Sequence, residues 1–154
     1  MSGAAIRRTI YFSGSISGGR QDVVLYRRIV EALEGRGHRV LAGAVASEHT
    51  GMGGEGLDAA TIFLRDLAWI DEAAKEQGML VAEVSVPSTG VGYEIGVARY
   101  VHAIPVICLY RPAYTKRCTA MIAGDPGIDL IQYEEADLEG MLNRLFEAVE
   151  RERE

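Results

Sequence analysis

A carboxylate beside a glycine-rich turn is the first feature of this sequence that could do chemistry. The stretch from Leu80 to Gly96 reads LVAEVSVPSTGVGYEIG, in which an apolar run is followed by hydroxyls, Pro87 and three glycines. Helical spacing from Tyr93 to Val101 predicts a helix whose first backbone N–H groups bind an anionic ligand. Glu94 is expected in the first turn of that helix. It either acts on the ligand or simply complements the positive end of the helix dipole.

A second glycine-rich turn, SGSISGGR, spans Ser13 to Arg20 and follows the first apolar run. It lacks the GxGxxG spacing of dinucleotide sites and the GK[ST] ending of phosphate loops. Ser13, Ser15 and Ser17 supply hydroxyls, and Arg20 supplies a positive charge. The turn is therefore either a strand-to-helix connection that needs positive φ angles or half of an anion site.

Two more side chains, Asp66 and Tyr11, are candidates for the same site. Asp66 lies mid-helix in FLRDLAW, where it either faces solvent, pairs one turn away, or faces Glu94 across a pocket. Two carboxylates about 5 Å apart cleave a glycosidic bond with retention, because one attacks the anomeric carbon while the other manages the proton. Like charges at that distance also separate the two pKa values. Tyr11 is either a core aromatic or a phenol aimed at this pocket.

The elements that position these residues alternate between strand and helix. The predicted strands are residues 9–12, 39–41, 79–82, 104–110 and 130–133, and the predicted helices are residues 23–33, 60–77, 93–101 and 136–154. Residues 42–57 show no clear period and are expected to form a loop, and residues 111–124 a connection with one helical turn. This alternation predicts an α/β fold, a single-domain doubly wound parallel five-stranded sheet that is flavodoxin- or Rossmann-like, in the order 2-1-3-4-5. The glycine-rich turns then meet where the strand order reverses, which is where such sheets bind ligands.

Bulk properties limit the partners. The 154 residues fit one domain over residues 1–154, with ends at about residues 1–8 and 148–154 that are expected to fray. The net charge of −6 argues against nucleic acid or an anionic membrane as partner, and no apolar stretch approaches a membrane span of ~20 residues. Two cysteines without framework spacing predict a reduced cytosolic protein, and in a eukaryote a nuclear location also fits.

Metal and serine-nucleophile chemistry lack support in the sequence. His38, His49 and His102 have no ligand spacing with one another or with cysteines, so no metal site is expected. A GxSxG nucleophile elbow is absent from the sequence. The sequence therefore favours chemistry carried by carboxylates, without a metal or an organic cofactor.

Four blocks of sequence resemble one enzyme family. YFSGSISGGR, RDLAW, VAEVSVPSTGVGYEIG and TAMIAG, in this order and at these separations, resemble the 2′-deoxynucleoside 5′-phosphate N-hydrolase family of the wider nucleoside 2-deoxyribosyltransferase superfamily. The likeness extends from about Tyr11 to Phe146. It implies cleavage of the N-glycosidic bond of a deoxynucleoside monophosphate, which gives a free base and 2-deoxyribose 5-phosphate without any cofactor.

The resemblance also implies roles for individual residues. Carried over by position, Glu94 is the nucleophile that forms a covalent deoxyribosyl intermediate, Asp66 assists as acid/base or by positioning, and Tyr11 orients the nucleophile or the sugar. Family members are homodimers in which the partner subunit completes each site, a role that falls to residues 119–121. The substrate-binding positions expected from the turns and from the resemblance are Gly14, Ser15, Ile16, Ser17, Gly18, Gly19, Arg20, Ser88, Gly90, Gly92, Thr119, Ala120 and Met121.

Three departures from the mammalian pattern concern base preference more than the reaction. Ser17 replaces an arginine, Thr119 replaces a serine, and Phe63 replaces a histidine. Two other functions remain open. One is a deoxyribosyltransferase, in which a second base instead of water captures the intermediate. The other is a nucleotide-binding module without catalysis on the same fold. The phosphate-type hydroxyls favour a monophosphate substrate and hence the hydrolase.

Overall fold

The computed structural model describes residues 5–16, 22–46 and 56–153. Its strands are β1 (Thr9–Gly14), β2 (Arg39–Leu41), β3 (Met79–Glu83), β4 (Val106–Tyr110) and β5 (Ile128–Gln132). Its helices are α1 (Val23–Gly35), α2 (Ala59–Lys75), α3 (Thr89–Tyr100), α4 (Ala120–Ala123) and α5 (Leu138–Glu150). All strand pairs are parallel, and their order is β2-β1-β3-β4-β5. The predicted α/β class and strand order are therefore confirmed.

Helices cover both faces of the sheet, and β1 shows how its side chains are divided between them. Ile10 and Phe12 lie in the core formed with α1 and α5, whereas Tyr11 lies in the core formed with α2 and α3. Successive side chains of a strand point to opposite faces, so this division follows directly from the alternation of residues. The consequence for function is that Tyr11 faces α2 and α3, the helices that carry Asp66 and Glu94.

The strands at the centre of the sheet are longer than predicted. Ser13 pairs with Ala82 and Gly14 pairs with Glu83, so β1 and β3 continue past the end of their apolar runs. Polar side chains are found in buried strands where their groups have hydrogen-bonding partners. Both extensions bring polar side chains to the carboxyl edge of the sheet.

Helix α3 begins earlier than its apolar spacing predicts. The helix starts at Thr89, four residues before Tyr93, because the Ser88 hydroxyl accepts a hydrogen bond from Val91 N–H at 3.3 Å and caps it. The first turn of α3 therefore holds no acidic residue. Glu94 lies in the second turn, so the predicted first-turn position was wrong.

The remaining boundaries differ by a few residues. Strand β4 begins two residues later than predicted and β5 two residues earlier, while a 3-10 turn (Glu135–Asp137) precedes α5. Residues 148–154 were expected to fray, but helix α5 continues through residues 148–150, and Val149 is buried. A 3-10 turn (Gly43–Ala46) opens the predicted 42–57 loop, of which residues 47–55 lie outside the described part. Within the described ranges, no helix is both long enough and apolar enough to cross a membrane.

Candidate active site

The carboxylate of Glu94 lies at the carboxyl end of β1, where the strand order of the sheet reverses. The Tyr11 hydroxyl donates a hydrogen bond to Glu94 Oε2, and the Ser13 hydroxyl donates one to Glu94 Oε1 at 3.1 Å. Both carboxylate oxygens therefore accept a hydrogen bond from a side chain of a rigid central strand. Such contacts fix the position of a reacting group more closely than a loop could.

Ser13 is a contact that the sequence reading did not assign to Glu94. The sequence indicates Ser13 only as one of the hydroxyls of the glycine-rich turn. Residues two apart on a strand share a face, so Ser13 follows Tyr11 onto the α2–α3 side once β1 is extended to Gly14. The strand alternation would have found this contact if the polar end of β1 had been recognised as strand.

The surroundings of Glu94 hold it between its two protonation states near neutral pH. Burial raises the pKa of Glu94 to about 7, and the charge of Asp66 also raises it. The hydrogen bonds from Tyr11 and Ser13, together with the charge of Arg65, lower the Glu94 pKa and partly oppose that rise. Burial and the Glu94 charge raise the pKa of Tyr11, so its phenol remains a protonated donor.

Asp66 faces the pocket, with a cation beside it. Arg65 Nη2 lies 2.7 Å from Asp66 Oδ1, and Arg65 Nε donates to the same oxygen at 2.9 Å. The guanidinium of Arg65 also stacks over the Trp69 ring, 4.8 Å from its centroid. Neighbouring residues of a helix ordinarily diverge, so the sequence alone did not indicate this pairing. Of the three possibilities open for Asp66, the structure supports the one in which it faces Glu94 across a pocket.

Asp66 and Glu94 are shared by two cavities. The smaller cavity, about 30 Å³, lies against β1, and the larger, about 340 Å³, lies between α2 and α3. In the larger one the rings of Phe63 and Tyr93 meet edge to face, with centroids 6.5 Å apart. The described residues 5–16, 22–46 and 56–153 contain no group of three or more His, Cys, Asp or Glu side chains that could hold a metal ion. The pocket thus joins two carboxylates to an apolar aromatic wall.

The predicted substrate-binding residues at the end of β1 lie beside this pocket. Gly14 and Ile16 line the smaller cavity, and Ser15 is buried. A Cβ on Gly14 would lie 2.9 Å from Tyr26 Cζ and 3.2 Å from a methyl group of Val45, so any larger residue would require the buried Tyr26 ring to shift. The predicted positions Ser17, Gly18, Gly19 and Arg20 lie outside the described residues.

The other predicted binding residues are divided between the two sides of α3. Gly90 lines the cavity with Glu94, whereas Ser88 and Gly92 line a groove of about 550 Å³ on the opposite side of the helix. Thr119 and Met121 line the same groove, and Ala120 begins α4. Tyr11, Asp66 and Glu94 do not line that groove. Residues 119–121 are therefore not gathered around Glu94 of their own chain.

Comparison with known proteins gives a consistent set of relatives. No protein-family model matches the chain. The chain is 42% identical over 149 residues to the 5-hydroxymethyl-dUMP N-hydrolase of Homo sapiens, covering 92% of this chain and 81% of that one. It is 41% identical over 152 residues to the enzyme of that name from Mus musculus, covering 96% and 84%. A third, from Esox lucius, is 36% identical over 148 residues, covering 93% and 99%.

A solved structure shares the fold at much lower sequence identity. The Clostridium botulinum CMP N-glycosidase superposes with a TM-score of 0.59 at 16% identity, and the match covers 90% of this chain and 98% of that one. At this identity the likeness concerns the fold, and the site must be argued from its own residues.

Proposed function

Because the chain belongs to the 2′-deoxynucleoside 5′-phosphate N-hydrolase family and is an N-glycosidase, we propose that it hydrolyses 2′-deoxynucleoside 5′-monophosphates. The products are a free base and 2-deoxyribose 5-phosphate. The observation that carries this proposal is the Glu94 carboxylate, with hydrogen bonds from Tyr11 and Ser13 and with Asp66 in the same pocket. A module that only binds nucleotide has no use for a carboxylate fixed in this way.

In the proposed mechanism Glu94 is the nucleophile. One Glu94 oxygen attacks the anomeric carbon as the base departs with the bonding electron pair, which leaves a deoxyribosyl ester on the enzyme. Asp66 assists departure of the base, by proton transfer or by positioning, and a water molecule then cleaves the ester. A 2-deoxyribosyl cation-like transition state lacks the electron-withdrawing 2′-hydroxyl, so a fixed carboxylate stabilises it effectively.

The 5′-phosphate is proposed to bind between the ends of β1 and α3. Ser88 caps α3, whose first N–H groups carry partial positive charge, and β1 ends at Gly14, beside Glu83 at the end of β3. The phosphate lies away from the bond that breaks. Its binding energy can therefore hold the sugar in an attack geometry.

The deciding experiment is base release from a panel of deoxy- and ribonucleoside monophosphates and the matching nucleosides, followed by chromatography. We expect free base from the deoxynucleoside monophosphates and much less from the others. Release only after an acceptor base is added would indicate a transferase. A protein that binds the nucleotides but releases no base under either condition would be a binding module.

We further propose that the protein is a homodimer whose partner subunit completes each site. The exposed apolar side chains Phe63, Tyr93, Tyr100 and Met121 lie along α2, α3 and α4, next to the pocket and the groove. Tyr100 and Met121 line the same groove and are 76% and 83% exposed, and an exposed apolar patch of this kind is typical of an interaction surface. A second copy of the chain would cover this surface and would bring its residues 119–121 to the pocket.

Mixing two inactive variants tests whether the site is shared. We expect the Thr119 hydroxyl of the partner subunit to contact the 5′-phosphate, so Thr119→Glu places a negative charge against that phosphate, and Glu94→Gln removes the nucleophile. If Thr119 acts across the dimer, mixed dimers contain one intact site, and about a quarter of the wild-type activity returns after subunit exchange. If Thr119 acts within its own chain, every site keeps one defect and the mixture stays inactive. Sedimentation velocity supplies the oligomeric state of each sample.

The pH dependence of base release tests the contact between Tyr11 and Glu94. Because Glu94 must be ionised to attack, we expect wild-type kcat/KM to rise with pH through about 7 and then to level off. The Tyr11 hydrogen bond lowers the Glu94 pKa, so Tyr11→Phe should displace that rise to higher pH and reduce kcat/KM at pH 7 about tenfold. A uniform loss at all pH values would contradict this role. Tyr110→Phe, at the end of β4, is the matched control, because the Tyr110 hydroxyl donates to the main chain of Thr115 and Tyr110 lines neither cavity that contains Glu94.

A further inference from the structure

A buried arginine joins the ends of three strands to the start of α1. Arg111 directly follows β4, and its side chain is 2% exposed. Its Nη1 and Nη2 donate to the two oxygens of Asp22 at 3.2 and 2.6 Å, and its Nε donates to Glu83 Oε2 at 3.2 Å. Asp22 immediately precedes α1, and Glu83 ends β3. The Tyr133 hydroxyl, just past β5, donates to the same oxygen of Glu83.

The same cluster fixes the path of the chain between β3 and α3. Glu83 Oε1 accepts a hydrogen bond from Ser85 N–H at 2.7 Å. The Ser85 hydroxyl in turn accepts from the main-chain N–H of Arg111 at 2.8 Å, and from its Nε at 3.2 Å. Ser85 is completely buried, and three residues later Ser88 caps α3. The direction in which this turn leaves the sheet is thus set by contacts to Arg111.

Arg111 cannot itself bind a phosphate in this arrangement. Its guanidinium is shared between Asp22 and Glu83, with Glu135 Oε2 3.5 Å from Nη1, and the Tyr114 ring covers it at 4.3 Å. Burial alone would lower the pKa of Arg111, but hydrogen bonds to Asp22 and the charge of Glu83 raise it, so the cation persists. The surrounding carboxylates would repel an anion, so the cluster acts on the site through the chain segments that it joins.

Those segments are the two that border the proposed phosphate position. Gly14, the last residue of β1, pairs in register with Glu83, so the position of Glu83 bears directly on the point at which β1 ends. The bonds from Arg111 to Asp22 hold the start of α1, and the bond from Arg111 N–H to Ser85 holds the turn that leads to Ser88. A buried ion pair contributes little net stability compared with apolar packing, so its value to this fold is better explained by the geometry that it imposes.

We propose that Arg111 is a positioning residue for the phosphate subsite, because it sets the separation between the end of β1 and the start of α3. The inference rests on the proposed monophosphate substrate. Misplacement of binding groups by about 1 Å is enough to weaken a substrate contact strongly. Loss of the cluster should therefore affect recognition of the phosphate and spare Glu94, which lies on the other face of the sheet with α2 and α3.

The first test is Asp22→Asn, which keeps the shape of the side chain and removes the charge that Arg111 pairs with. We expect KM for a deoxynucleoside monophosphate to rise about tenfold while kcat stays within about twofold. The dissociation constant for inorganic phosphate, measured by calorimetric titration, should rise in the same proportion. For the unphosphorylated deoxynucleoside, kcat/KM should not change.

A second variant and a matched control separate positioning from general support of the fold. Arg111→Lys keeps the charge but cannot bridge two carboxylates, so it should reproduce the KM effect even if Asp22→Asn folds poorly. Glu150→Gln is the matched control, because it breaks an ion pair at the opposite end of α1, where Arg36 Nε donates to Glu150 at 2.9 Å. It should leave KM for the monophosphate and the dissociation constant for inorganic phosphate unchanged. Thermal unfolding of each variant reports its stability.

Two outcomes would overturn the inference. One is an equal loss of kcat/KM on the phosphorylated and unphosphorylated substrates together with a lower Tm. The other is an unchanged dissociation constant for inorganic phosphate in well-folded Asp22→Asn and Arg111→Lys. If the wild type released no base from any nucleotide, the proposed function would fail, yet the phosphate titration would still decide the role of Arg111.

Discussion

Replacement of Glu94 by glutamine is expected to slow base release by about a thousandfold or more while nucleotide affinity changes only a few-fold. The amide has nearly the same shape as the carboxylate, and its oxygen still accepts a hydrogen bond from Tyr11 or Ser13. It cannot attack the anomeric carbon, so only the chemical step is removed. Single-turnover base release measures the first effect. Calorimetric titration of the inactive variant with a deoxynucleoside monophosphate measures the second.

Glu31→Gln is the matched control for the loss of one carboxylate, because Glu31 is exposed on α1, across the sheet from the pocket. It should release base at the wild-type rate. If Glu94→Gln retained about a tenth or more of that rate, the nucleophile would have to be another group. If it lost affinity as strongly as activity, Glu94 would be a binding residue rather than the nucleophile.

The same variant has an expected effect on stability, with a sign fixed by the pKa of Glu94. Burial raises that pKa from an ordinary value of 4.5 to about 7, so the folded protein favours the neutral acid. The stability associated with this proton is present below pH 4.5 and is lost as the pH rises through 7. Glutamine has no proton to lose, so at pH 8 Glu94→Gln should be more stable than wild type by up to about 3 kcal/mol. Chemical unfolding at pH 5 and pH 8 measures the difference.

Strand order was predictable because short apolar strands alternate with helices, and right-handed crossovers then permit few topologies. The points at which β1 and β3 end could not be predicted, because Ser13 and Glu83 interrupt the apolar pattern by which a strand is recognised in a sequence. Both residues nevertheless lie in the sheet, where Glu94 and Arg111 satisfy their polar groups. Patterning therefore failed at the positions that border the site, where local preference gives way to function.

The site itself could be predicted in outline. The fold brings Tyr11 and Glu94 together across 83 residues of sequence, because both lie at the point where the strand order reverses. The partners Arg65 and Arg111 could not be predicted, since each depends on side-chain directions that residue types do not encode. The location of residues 119–121 away from Glu94 of the same chain also follows only from the structure.

Replacement of Asp66 by asparagine is expected to reduce kcat about a hundredfold, which is the scale of a lost acid–base contribution. The variant should also change the pH profile, because the charge of Asp66 raises the pKa of Glu94. Without that charge the Glu94 pKa falls, and the rise of kcat/KM should move to a pH below 7. Tyr11→Phe is expected to move it in the opposite direction. Steady-state kinetics from pH 5 to pH 9 on both variants would measure the two displacements.

The opposite displacements distinguish an electrostatic role for Asp66 from a purely structural one. A loosened pocket would lower kcat without moving the ionisation of Glu94. Asp71→Asn is the matched control, because Asp71 lies on the same helix and also pairs with a cation, Lys75 Nζ at 2.8 Å, but lines neither cavity that contains Glu94. That variant should keep both the wild-type rate and the wild-type profile. If Asp66→Asn lost activity with no change in profile, Asp66 would still be needed for turnover, but its charge would not act on the nucleophile.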